Sequence, residues 1–190
     1  TPTRQVNMVI YSQLLQYDWP TADKPCVISI RGDLAQSWKW LDDRTLEFKL
    51  VPGVRFHDKP PVNGRELVAD DVVYSFNRFK QVQSATQVHT SKIKDIRALD
   101  KYTVRFETTE PVPALITDVF PMYYSPIVLA KESGGPKEDW SDPDKSYVGS
   151  GPFQFRSWSP GVKTVADKNP RYFREGLPYL DRVEYLVMPD

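Results

Sequence analysis

Cysteine and histidine are nearly missing from this chain. Cys26 is its one cysteine, and His57 and His89 are its two histidines among 190 residues. An intrachain disulfide and a cysteine-held metal cluster are therefore excluded. A lone thiol of this kind reads as a buried or idle side chain, and Asp23, Lys24 and Pro25 ahead of it lack the small-residue context of a lipid-anchored cysteine. The histidines show no His-x-His or His-x-x-x-His spacing, which gives a zinc site little support. Net charge is missing too: 25 basic residues balance 25 acidic ones, and the signs alternate along the chain. No long-range field then favours nucleic acid or anionic lipid. No apolar run approaches the ~18 residues of a membrane span, and no basic-then-apolar leader opens the chain.

Aromatic residues and prolines are plentiful. Ten Tyr, nine Phe and five Trp make 13% of the chain, and 17 prolines accompany them. Fixed loops around aromatic-rich layers are the expectation, in one or two compact units with a true core. Glycine is scarce, with nine in all, so the pair in the stretch Tyr-Val-Gly-Ser-Gly-Pro-Phe at 147–153 stands out.

Val6, Val9, Ile10 and Leu14 are spaced by threes and fours, which predicts an amphipathic helix over Val6 to Tyr17. The chain would then open inside an element, and further residues upstream are expected. Residues 36–50 read as a β-hairpin around Asp42-Asp43, with Leu46, Phe48 and Leu50 alternating with Glu47 and Lys49. Pro60, Pro61, Asn63 and Gly64 mark an irregular loop. Asp70 and Asp71 precede Val72, Val73, Phe76 and Phe79, the pattern of a helix with carboxylates at its positive end. A second hairpin turns at Asp100-Lys101. Pro113 opens a short helix that Pro121 ends. The stretch from Lys131 to Ser146 reads as a solvent loop, and strands return from Phe153 onward. Hairpins interrupted by a few helices indicate mixed β-sheets with flanking helices, not a regular βαβ series.

Candidate chemistry is thin. His57-Asp58 resembles a base with its orienting carboxylate, yet adjacent residues in an extended segment point to opposite sides. Asp42-Asp43 and Asp70-Asp71 are explained by a turn and a helix start. Gly149-Ser150-Gly151 could be a phosphate cradle, a catalytic elbow or a structural corner. A dinucleotide loop would need a third glycine, and Pro152 removes a backbone donor. An elbow needs Gly-x-Ser-x-Gly, which the spacing does not supply. A corner remains, where glycine permits unusual backbone angles or close approach.

Five segments in order carry a resemblance: LAQSWKWLDDRTLEFKL, GVRFHD, ELVADDVVYSFNRF, YVGSGPFQF and DKNPRYFREGLPYLDRVEYLVMPD. Together they resemble the large solute-binding proteins of ABC importers, the extracellular family 5 group with oligopeptide-, dipeptide- and nickel-binding members. Departures from that pattern are Val51-Pro52 in place of a basic step, Lys59 in place of a glycine before an inserted loop, and Ser150 and Phe153 in place of Thr and Tyr.

The resemblance implies an α/β, type II periplasmic-binding-protein-like first lobe with the second lobe absent, so that the chain is partial. It implies a base subdomain at 1–32 and 147–190 and an inserted subdomain at 33–146. It also implies a protein that is monomeric at full length, works in the periplasm or anchored outside the cell, and passes a solute, a peptide first of all, to ABC permease subunits. No cofactor, metal, nucleic acid or catalysis is implied. By position, the ligand-binding candidates are Met8, Tyr11, Met122, Tyr123, Tyr124, Gly149, Ser150 and Gly151. Alternatives are an oligosaccharide or chelated metal on the same scaffold, a hydrolase using His57, and a scaffold domain without a cleft.

Overall fold

The structure is a computed structural model that describes residues 8–18, 29–81, 90–121, 126–134 and 142–188. The helix expected from Val6 to Tyr17 is replaced. Residues 8–10 form one helical turn, and Leu15–Asp18 (β1) then pairs antiparallel with Ser29–Gly32 (β2), Leu15 opposite Gly32. Ile10 and Leu14 are buried as the spacing demands, but the backbone is bonded elsewhere. The Leu14 carbonyl accepts from Asp33 and Ala35, both at 3.0 Å, and the Gln13 carbonyl accepts from Leu34 at 2.9 Å. A short apolar run suits helix and strand alike, and here long-range pairing decides.

The hairpins form where alternation predicts them. Ala35–Trp40 (β3) pairs with Thr45–Leu50 (β4), Trp38 opposite Phe48 and Trp40 opposite Leu46. At the intervening turn Asp42 accepts from the Arg44 N–H at 2.8 Å. Ile93–Asp100 (β5) pairs with Thr103–Thr108 (β6) around a turn in which Asp100 accepts from the Tyr102 N–H at 2.8 Å. The four strands join as an antiparallel sheet in the order β3-β4-β6-β5.

Helix α1, Ala69–Gln81, follows the Asp pair as expected. Its Asp71 side chain reaches back to accept the Val68 N–H at 3.0 Å, which satisfies one of the donors left over at a helix start. Val72 and Phe76 face the core. Phe48 of β4, Phe76 of α1, Phe106 of β6 and Phe120 pack as one cluster with ring centroids 4.7 to 5.5 Å apart. Phe120 follows the single turn Leu115–Asp118 (α2) between Pro113 and Pro121.

The stretch expected as a solvent loop is partly ordered. Lys131–Gly134 forms a 3-10 turn with Ser133 and Gly134 buried, and Pro143–Ser146 forms one helical turn (α3) capped by the Asp142 side chain. Phe153–Ser159 (β7), Lys163–Lys168 (β8) and Arg182–Leu186 (β9) make a three-stranded antiparallel sheet in that order.

The chain divides into two compact units. One gathers the described residues within Thr1–Ser12, Gly53–Leu67 and Val128–Asp190, and the other those within Gln13–Pro52 and Val68–Ile127. β1 and β2 go with the four-stranded sheet, because the β1 end bonds to residues 33–35. The Pro-rich loop joins the first unit, because His57 bonds to Gly149 and Gly151. Among the described residues no helix is long and apolar enough to cross a membrane.

Candidate functional site

The glycines of the 147–153 stretch are required by close approach. A Cβ on Gly149 would lie 2.1 Å from the Ile10 carbonyl oxygen, and one on Gly151 would lie 2.6 Å from the Ile10 carbonyl carbon. Gly151 N–H donates to that same Ile10 oxygen at 2.8 Å. Neither glycine has a positive φ, so of the two uses of glycine foreseen at this corner, backbone proximity is the one at work.

His57 holds both ends of the corner. Its Nδ1 accepts from the Gly149 N–H at 3.2 Å, and its Nε2 lies 3.0 Å from the Gly151 carbonyl oxygen. An N–H facing Nδ1 fixes that nitrogen as the acceptor, so Nε2 carries the proton and donates. His57 N–H also donates to the Gly149 carbonyl at 2.7 Å. The residue is 1% exposed. Burial pushes the imidazole down to about 4, Lys59 acts in the same direction, and the bond to Gly151 opposes them. A neutral ring with both nitrogens engaged has no lone pair left to serve as a base. The neighbouring Asp58 is exposed and pairs with Arg171 at 2.7 Å.

Two further residues at this corner escaped the sequence reading. Asn169 is buried, and its Nδ2 donates to the Gly151 carbonyl at 2.9 Å while its Oδ1 accepts from the Arg171 N–H at 3.0 Å. Lys59 lies over the Phe155 ring at 5.0 Å and 3.6 Å from Asp144. The Asn-Pro pair at 169–170 is a turn signal that could have drawn attention to Asn169. Lys59 stands out only as a departure from the family pattern, with no local sign of its contacts.

The expected ligand contacts separate into distinct groups. Met8 is exposed, at 52%. Tyr11 is buried, donates its hydroxyl to the Ser146 carbonyl at 2.7 Å and packs near Tyr147. Burial, reinforced by Tyr147, raises its phenol well above the usual range. Gly149, Ser150 and Gly151 are all buried. The Ser150 hydroxyl has no hydrogen-bond partner among the described residues and almost no accessible surface. Tyr11 and the three corner residues are thus buried in this chain, whereas Met8 is exposed. Met122, Tyr123 and Tyr124 lie outside the described residues.

No three His, Cys, Asp or Glu side chains gather as a metal site among the described residues. Open depressions of about 360 and 550 Å³ lie in the second unit, both bordered by Asp100. Neither includes Met8 or the corner.

Residues 29–190 match the profile of the bacterial extracellular solute-binding proteins, family 5, middle region. The chain is 32% identical over 174 residues to the oligopeptide-binding protein AppA of Bacillus subtilis, covering 86% of this chain and 30% of that protein. The periplasmic binding protein DppA of Helicobacter pylori, solved with the peptide STSA, superposes with a TM-score of 0.77 at 28% identity, over 96% of this chain and 37% of that one. The binding protein MoaA of A. tumefaciens R10, solved with mannopinic acid, superposes with a TM-score of 0.79 at 29% identity, over 97% and 36%. The chain spans about a third of the length of these proteins, and its fold is the corresponding part of a type II periplasmic binding protein. The chain belongs to the family 5 bacterial extracellular solute-binding proteins.

Proposed function

We propose that this chain is part of the substrate-binding component of an ABC importer, which captures a peptide and delivers it to permease subunits without chemistry of its own. The observation that carries this reading is the match to family 5 across residues 29–190, joined by the 32% identity to an oligopeptide-binding protein. The family description favours work outside the cytoplasmic membrane, in the periplasm or at the cell surface. The engagement of both His57 nitrogens supports capture over hydrolysis. Met8 is the contact candidate that the described residues leave open to solute. Met122, Tyr123 and Tyr124 stay in the proposal on their sequence position, and the Gly149 to Gly151 corner enters as backing instead of contact.

A second reading is favoured by the likeness to a protein solved with mannopinic acid: a small sugar-derived acid in place of a peptide. Calorimetry and thermal shift on the protein carrying this chain, with short peptides, oligosaccharides, opines and nickel chelates, separate the readings. Saturable binding and stabilisation by peptides, with the peptides recovered intact, is the expected result. Stabilisation by opines alone favours the second reading, no response to any of them overturns solute capture, and peptide cleavage that H57A abolishes reinstates the hydrolase.

A further inference from the structure

We propose that His57 is a positioning residue for solute capture: it ties both ends of the Gly149–Gly151 corner into one backing for the segment that carries Met8. The proposal rests on the solute-binding reading above. Three hydrogen bonds run from this one residue to the corner, the backbone N–H to the Gly149 carbonyl at 2.7 Å, Nδ1 from the Gly149 N–H at 3.2 Å, and Nε2 to the Gly151 carbonyl at 3.0 Å. A neutral imidazole accepts on one edge and donates on the other, which is what an N–H and a C=O two residues apart require.

The corner is in turn locked to Ile10. Gly151 N–H donates to the Ile10 carbonyl at 2.8 Å, and both glycines lie so near the Ile10 backbone that no Cβ fits between them. Ile10 is the last helical residue of the described stretch 8–10, which includes the exposed Met8. No atom of His57 needs to touch a solute. Its influence passes through buried backbone, and loosening the corner displaces the turn that bears Met8.

The test dissects the ring by its two edges. His57→Asn keeps an acceptor where Nδ1 stands, His57→Gln keeps a donor where Nε2 stands, and His57→Ala keeps neither. Calorimetry with alanine peptides of two to five residues measures affinity at neutral pH, and nitrogen-detected NMR of the ring reads the tautomer. The expected result is an Nε2–H ring, about tenfold weaker binding in H57A, and partial rescue in H57N and H57Q. If H57A fails to fold, the two half-substituted variants decide, each binding more weakly than the wild type while remaining folded. Wild-type affinity in H57A, or in both half-substituted variants, overturns the proposal, as does a ring protonated on Nδ1. Silence of the wild type with every peptide instead overturns the solute-binding reading beneath it, while the ring spectrum still reports the corner.

Discussion

The Gly149 N–H points at Nδ1 of His57 across 3.2 Å. Burial of a ring that is 1% exposed holds it down to about 4, and protonating Nδ1 would in addition set two donors against each other. The unfolded chain titrates near 6.5. Because the folded value is the lower one, the contribution is fully present above pH 6.5, shrinks as pH falls, and is gone below about 4. Its size is about 3 kcal/mol. Urea unfolding of the wild type between pH 7 and 4 should show this loss, and H57Q, with nothing to titrate at the site, should be less stable at pH 7 and lack that part of the slope. A parallel decline in both proteins would contradict the assignment.

Gly149 and Gly53 make a controlled comparison of two kinds of glycine. Gly149→Ala drives a methyl into the Ile10 carbonyl, 2.1 Å away, and the obstacle is backbone that cannot rotate aside. The cost should exceed about 3 kcal/mol. Gly53 has φ 77° and nothing within 4 Å of its Cβ position. Gly53→Ala should therefore cost only the left-handed backbone penalty, about 1 kcal/mol. Thermal melts of the two variants should fall in that order, and equal melts would show that contact at the corner is not what selects glycine.

How far the sequence revealed this arrangement depended on the range of the forces involved. The two hairpins and α1 were legible because alternation, turn carboxylates and an N-terminal Asp pair act over a few residues. The opening helix was misread because Ile10 and Leu14 suit either period, and the bonds that choose the strand come from residues 33–35. The corner was recognisable as a place of close approach, yet its partners were not. His57 lies 92 positions before Gly149, and no spacing rule reaches that far. The bond from the Tyr11 hydroxyl to the Ser146 carbonyl spans 135 positions and was equally beyond local pattern.

The aromatic cluster should dominate the stability of the second unit. Phe106 stands edge-on to Phe76 at 5.0 Å and to Phe120 at 5.2 Å, and it also meets Phe48 at 5.5 Å. It is fully buried, so Phe106→Ala removes a ring that touches three others and leaves a cavity among them. A loss of about 3 to 5 kcal/mol is expected, with Phe106→Leu costing less because it refills most of the volume. Chemical denaturation measures both. A cost below about 1 kcal/mol for the alanine variant would mean that the remaining rings close the gap.

Arg65 grips Glu132 with two prongs, Nε to Oε1 at 2.6 Å and Nη2 to Oε2 at 2.7 Å, while its guanidinium lies 4.9 Å from the centre of the Phe56 ring. The bond to Arg65 holds the Glu132 carboxyl below its ordinary value, partly offset by desolvation. Stability from this pair is thus present above the ordinary carboxylate pKa and is lost as pH falls through the lowered one. Both side chains are partly exposed, 31% and 42%, so solvent screening limits the pair to about 1 kcal/mol. Lysine keeps the charge but cannot form the fork or stack on the ring in the same way. Arg65→Lys should therefore lose most of what Arg65→Ala loses, and a double-mutant cycle with Glu132→Gln should return a positive coupling at pH 7 that declines as pH falls through the lowered Glu132 value. Full retention of stability by the lysine variant would show that charge alone, and not the paired geometry, joins the Pro-rich loop to the 131–134 turn.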